Sequence, residues 1–393
     1  MDRKALTNKL IVVGVDGLDP RLAKKYLDAG EMPNMKALLD KGVAREDLVL
    51  LGAVPTITPP MWTTLATGAY PITHGITCFT RQSKKSLDTL EYNLDSAGCL
   101  AEQIWNVTAE AGLKTLVLHW PGSSWPPTSD SENLYVVDGT QPAGINFGVA
   151  AVDSEKIVVA DVKTAEPAFK EKAAADSKVP CVIEDLNTDD SNADIVGKIA
   201  AKEFTNVMLS HADGEGALSD APFDVAISPI KDAQNWAFEL PEDAKEFTVL
   251  HSAGLVRRPC IILKNEQGVY DRVVMYKSKK NDEPVAVLPY NVFVSDIIDD
   301  AIKGDVKYMA NRSMRLLELS PDGSHLKLWV SMAMDITNDT LWHPTSLFKT
   351  VTDAVGYPQP VSLVGGADQQ LITDCMGACW ERSSECNLML CII

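Results

Sequence analysis

Asp16, at the end of the apolar run Leu10-Ile11-Val12-Val13-Gly14-Val15 and followed by Gly17, supplies a carboxylate. Thr58, set directly before Pro59-Pro60-Met61-Trp62, supplies a hydroxyl. A metal-assisted phosphoryl-transfer site needs such a pair side by side, because a divalent cation on the hydroxyl oxygen makes its proton easier to lose and the oxygen a nucleophile. Each residue also has an ordinary reading. A Thr before Pro-Pro can serve only as a helix cap, and an Asp-Gly after a strand can be only a turn.

The elements that would position the pair are legible around them. The β-branched run Leu10–Val15 has the composition of a buried strand in a parallel sheet. Asp16 then stands at the carboxyl end of that strand, where open α/β sheets keep their ligand sites. A second apolar run, Leu48–Val54, leads toward Thr58. Pro59-Pro60 suits the first turn of a helix, where backbone N–H groups lack partners. This makes Thr58 the expected N-cap of a helix that runs through Trp62 and Leu65 and stops at Gly68 in a left-handed conformation. Its hydroxyl would lie at the positive end of the helix dipole, beside free N–H groups able to hold an anion.

Further on come Thr67-Gly68 and Pro71-x-x-His74-Gly75-Ile76. With Asp16-Gly17 and Pro55-Thr56-Ile57-Thr58-Pro59, they make the segment Leu10–Ile76 resemble the alkaline phosphatase superfamily, and within it the type I phosphodiesterase/nucleotide pyrophosphatase branch. Met32-Pro33-Asn34-Met35, with Leu38, Leu39 and Gly42, is similar to the helix that the family carries after its first strand. The resemblance implies an alkaline-phosphatase-like three-layer α/β/α core in the α/β class, with a β-rich insertion or cap domain. It implies that Asp16 is a metal ligand and that Thr58 is both ligand and nucleophile, forming a phospho-threonine intermediate that water releases, with N–H groups after Thr58 holding an equatorial oxygen. The cofactors implied are divalent ions, two zinc ions or manganese, and the substrate a small phosphate ester, a phosphodiester or nucleotide pyrophosphate ahead of a monoester. Gly17, Pro59, Met61 and Trp62 border the expected pocket. Met61 stands where nucleotide pyrophosphatases of the branch carry an Asn, so phosphonate, sulfate and sugar-phosphate esters stay open. His74 is expected to support its loop.

Ala101–Ala111 is expected to be a helix ended by Gly112, and Lys114-Thr115-Leu116-Val117-Leu118-His119-Trp120-Pro121-Gly122 the next buried strand and its loop. The family shows a Trp-Pro-Gly loop on its substrate side, which makes His119 and Trp120 pocket candidates. Equally, they suit a strand-end His and a core-edge Trp.

The rest of the family's ligand set, an Asp with a nearby His, an adjacent Asp-His pair and a final His, has no counterpart downstream. The chain has six His and no Asp-His dipeptide. Asp322-Gly323-Ser324-His325 is expected to be a hairpin turn, and His211-Ala212-Asp213-Gly214 a polar loop. Residues 1–150 are assigned to the amino-terminal part of the core and 151–353 to an insertion with short strand runs such as Val225–Ser228, Cys260–Leu263, Asp271–Tyr276 and Leu326–Val330. Gln267-Gly268 and Asp282-Glu283-Pro284 supply turns. Leu341-Trp342-His343-Pro344 begins the return to the core, and residues 354–393 complete it as a truncated half that stops soon after Gly365-Gly366-Ala367-Asp368. Two other readings follow: a catalytically incompetent fragment or phosphate-binding protein, and a phosphomutase of the same superfamily. The Thr nucleophile and the Pro-Met-Trp helix speak against the mutase.

Composition bounds the remainder. A net charge of −18 disfavours nucleic acid and anionic membrane as partners. It leaves a phosphate substrate open, since metal ions invert the local field. At 393 residues the chain is long enough for two lobes. The opening apolar run is too short for a signal peptide and no stretch reaches about 20 apolar residues, so a soluble cytoplasmic protein is expected. Glu184-Asp185 and Asp189-Asp190 suit solvated loops. Cys375, Cys379, Cys386 and Cys391 lack zinc-knuckle spacing. Oligomeric state is not legible.

Overall fold

Prolines start the helices of the amino-terminal region. In this computed structural model, which describes residues 9–49, 56–139, 145–146, 148–162 and 224–360, α1 (Pro20–Asp28), α2 (Pro33–Lys41), α3 (Thr58–Thr67) and the single turn α4 (Pro71–His74) each carry Pro in the first two positions. There the missing N–H forfeits nothing. The Asp19 carboxylate caps α1 by accepting from the N–H groups of Arg21 and Leu22. Expectations for Leu50–Pro55, for the acidic clusters at 184–190, for His211 and Asp213, and for the chain beyond Pro360 with its cysteines lie outside the described residues.

The protein is a mixed α/β chain that divides into two compact units. The first runs through Gly148 and takes in Thr340–Thr350; the second holds Val149–Asp339 and resumes at Val351. In the first unit β1 (Thr80–Gln82) and β2 (Leu90–Tyr92) form a small antiparallel ribbon. Helix α5 (Ile104–Glu110) leads through Gly112, at φ 84°, into β3 (Thr115–Trp120). Strand β3 lies parallel to β4 (Leu134–Asp138), whose other edge takes the short strand Trp342–His343 in antiparallel register. Its core joins Trp62, Ala66, Trp105, Ala109, Val117, Trp120, Leu134 and Val136.

The expected first strand is not formed. From Leu10 to Val15 the backbone is irregular, with one bridge at Val15. Leu10, Ile11, Val13 and Val15 are 54%, 64%, 59% and 44% exposed, so the run is not buried. Only Val12 and Gly14 turn inward, Val12 against the tryptophan cluster and Gly14 against the Trp62 ring. The physical reason is a missing edge: among the described residues no strand is paired along this run, and a cavity of about 360 Å³ has Leu10 and Val12 of the run and Leu116 and Leu118 of β3 in its lining.

The second unit is almost wholly antiparallel. Its strands are β5 (Val149–Asp153), β6 (Lys156–Asp161), β7 (Asp224–Pro229), β8 (Lys231–Asp232), β9 (Lys245–His251) and β10 (Val256–Lys264). They continue with β11 (Tyr270–Tyr276), β12 (Pro284–Pro289), β13 (Phe293–Lys303), β14 (Val306–Leu319), β15 (His325–Val330) and β16 (Ala333–Asp335). A five-stranded sheet runs β12-β11-β10-β9-β8. A larger one runs β5-β16-β14-β15-β6-β7, with β13 also on β14 and β6–β7 as a parallel pair. Their inner faces share a core that includes Phe247, Ile262, Met275, Leu288, Met314 and Leu328. Gly268 and Gly323 take the left-handed conformation in the tight turns expected at Gln267-Gly268 and Asp322-Gly323. Among the described residues no helix is long and apolar enough to cross a membrane.

Candidate functional site

The amino terminus of α3 is where the two chemically distinctive residues meet. Ile57 holds the cap position, with φ −121° and ψ 162°, and Thr58 is the first helical residue. This corrects the expected N-cap by one residue. Were Thr58 the cap, the helix would begin Pro59-Pro60-Met61; the prolines have no N–H to give its oxygen, and the Met61 N–H goes to the Ile57 carbonyl. The Thr58 hydroxyl therefore caps nothing. The same two prolines overturn the expected row of anion-holding N–H groups after Thr58, because the next N–H, on Met61, donates to the Ile57 carbonyl at 3.2 Å. Helix α3 ends as its sequence predicts, with Gly68 at φ 66°.

Thr58 Oγ1 lies 3.3 Å from Asp16 Oδ2 and 3.4 Å from Oδ1, although 42 residues separate the two side chains. Both side chains are half-buried. A good hydroxyl–carboxylate hydrogen bond is shorter, about 2.7 Å. Two oxygens bound tetrahedrally to one cation at about 2.0–2.1 Å stand roughly 3.3–3.4 Å apart. The separation suits either a long hydrogen bond from the Thr58 hydroxyl to the carboxylate or two oxygen ligands of one divalent ion. Trp62, one turn after Thr58 on α3, donates its indole N–H to Asp16 Oδ1 at 2.9 Å. Gly17, exposed at φ 64°, turns the chain away directly after the carboxylate.

The remaining candidates are distributed differently. Pro59 is buried and Met61 half-buried on the first turn of α3. Trp120 is buried edge-on to Trp62, with ring centroids 4.8 Å apart, and packs on Trp105 at 5.7 Å. His119 is buried at a bulge with φ 51°, and burial holds its imidazole down at about 4. His74 is buried, with Nδ1 accepting the Ile76 N–H at 3.1 Å and Nε2 against Thr64 Oγ1 at 3.1 Å. Both ring nitrogens are engaged, so the ring ties its loop to α3, as expected of a supporting residue. His325, at the foot of the Asp322-Gly323 turn, pairs with Asp161 at 2.9 Å and Glu318 at 3.4 Å. Among the described residues no three His, Cys, Asp or Glu side chains group to hold a metal ion.

One carboxylate escaped the sequence reading. Asp138 ends β4, paired in register with Trp120 and buried, with its N–H bonded to the Leu341 carbonyl at 3.0 Å. Its signal was present: Val137-Asp138-Gly139 repeats the pattern of Val15-Asp16-Gly17.

No curated protein and no solved structure matches the chain. The family model for type I phosphodiesterase / nucleotide pyrophosphatase matches residues 10–217, more than half of the 393 residues. That span holds Asp16, Thr58 and Trp62 at its start, and the chain belongs to the type I phosphodiesterase / nucleotide pyrophosphatase family.

Proposed function

We propose that the protein, or the longer protein of which this sequence is a part, hydrolyses phosphate esters through Thr58, with phosphodiesters or nucleotide pyrophosphates as substrates. The observation that carries this reading is the uncapped Thr58 hydroxyl beside the Asp16 carboxylate, 3.3 Å away, at the first residue of α3. Asp16 and Thr58 would hold a divalent cation, zinc or manganese, which when bound supplies charge neutralisation and lowers the hydroxyl's proton affinity.

In this reading Thr58 Oγ1 attacks phosphorus, an Oγ1–P bond forms and the bond to the leaving oxygen breaks. The hydroxyl proton ends on the departing alcohol or phosphate by way of solvent. Water then cleaves the phospho-threonine, restoring the hydroxyl and releasing a phosphate monoester. The α3 dipole favours negative charge at Thr58. With Pro59 and Pro60 next in line, that help comes from the dipole and from the N–H of Thr58, and not from a row of amides.

A second reading, phosphate binding without turnover, draws on the absence of a larger ligand group among the described residues. Hydrolysis of an aryl phosphodiester with added zinc or manganese decides between them. Turnover by the wild type that is lost in Thr58→Ala supports the first. A folded wild type that binds inorganic phosphate and turns nothing over supports the second.

A further inference from the structure

Trp62 is placed to do more than fill the core. It follows Thr58 by four residues, so both lie on one face of α3, one turn apart. Its ring is fixed from two sides. Trp120 meets it edge-on at 4.8 Å with planes at 90°, and Gly14 lies so close that a Cβ there would fall 2.2 Å from Cη2. The indole nitrogen can only donate, and its one proton goes to Asp16 Oδ1 at 2.9 Å. Packing alone does not demand such a bond. The Trp120 Nε1 in the same cluster is equally buried and has no hydrogen-bond partner among the described residues.

We infer that Trp62 is a positioning residue for Asp16: its N–H occupies Oδ1 and stops the carboxylate from rotating, which leaves Oδ2, not engaged by the indole and 3.3 Å from Thr58 Oγ1, to face the cation. This rests on the reading of Asp16 as a metal-binding carboxylate. Outer-shell hydrogen bonds of this kind orient a ligand, and their loss weakens metal binding about 10–100-fold.

The test is calorimetric titration of the full chain with zinc or manganese, alongside thermal unfolding. Two replacements remove the N–H: Trp62→Phe and, to keep the bicyclic shape should Phe pack poorly, benzothienylalanine at position 62. Trp105→Phe is the control for loss of indole packing in the same cluster. The inference expects a dissociation constant about 10–100-fold higher in both position-62 variants and within about threefold of wild type in Trp105→Phe. Wild-type affinity without the N–H, or equal weakening in Trp105→Phe, overturns the inference and leaves Asp16 as a ligand. No metal bound by a folded wild type overturns both the inference and the metal reading of Asp16.

Discussion

At the scale of single residues, the hydroxyl of Thr58 and the imidazole of His74 make opposite predictions. Among the described residues the Thr58 hydroxyl meets no hydrogen-bond partner but Asp16, so Thr58→Ala is expected to leave unfolding unchanged within about 0.5 kcal/mol while lowering phosphodiester turnover on the order of 10³-fold or more. His74 is buried with both nitrogens bonded. His74→Ala is expected to cost about 2–3 kcal/mol in denaturant unfolding and to leave metal affinity unchanged, because it breaks one hydrogen bond within the loop and one to Thr64 of α3 made by a buried ring. Asp16 and Thr58 were legible because their types sit in a dense local pattern. The Trp62 contact was not, since spacing places Trp62 on the face of Thr58 but does not say where the indole N–H points. Asp138 was missed because its Val-Asp-Gly signature lacked the motif that follows Asp16.

At the scale of elements, proline and glycine were the reliable guides. Helix α3, its Gly68 stop and the Gly323 turn follow from backbone chemistry within a few residues. The run Leu10–Val15 did not, because a strand is completed by neighbours that its own sequence cannot name. Hydrophobicity there announces a partner without supplying one. Gly14 is a contact point between that run and α3. Gly14→Ala would set a methyl 2.2 Å from a ring that is clamped by Trp120 and Asp16. The expected loss is about 1–3 kcal/mol of stability, read by urea unfolding, with a shift in tryptophan emission as Trp62 leaves its place.

At the scale of the whole chain, acid is expected to destabilise the fold. Burial lowers the imidazoles of His74, His119 and His251; the ring of His251 also feels the positive charges of Arg312, Lys156 and Arg258. Each is neutral when folded and takes up a proton more readily when unfolded. Their stabilisation is therefore complete above the unfolded value of 6.5 and is lost as pH falls below it, for His119 down to about 4. For His119 this amounts to on the order of 3 kcal/mol. Unfolding followed by circular dichroism should show the steepest loss between these limits, and His251→Leu should flatten the part due to the second unit. Neither ring nitrogen of His251 has a hydrogen-bond partner among the described residues, so that substitution should not lower stability at pH 7.

The tryptophan cluster gives the first unit an optical signature of its own. Trp62 and Trp120 stand 4.8 Å apart with perpendicular planes, close enough for their electronic transitions to couple. In the second unit Trp236 is in ring contact with Phe238 and Tyr276, and Trp329 with Phe293. A paired, oppositely signed tryptophan band would thus carry a contribution from the ring that touches Asp16, and would shrink to what the Trp105–Trp120 pair supplies when that ring moves, even if the β-sandwich stays folded. The candidate site carries its own chromophore.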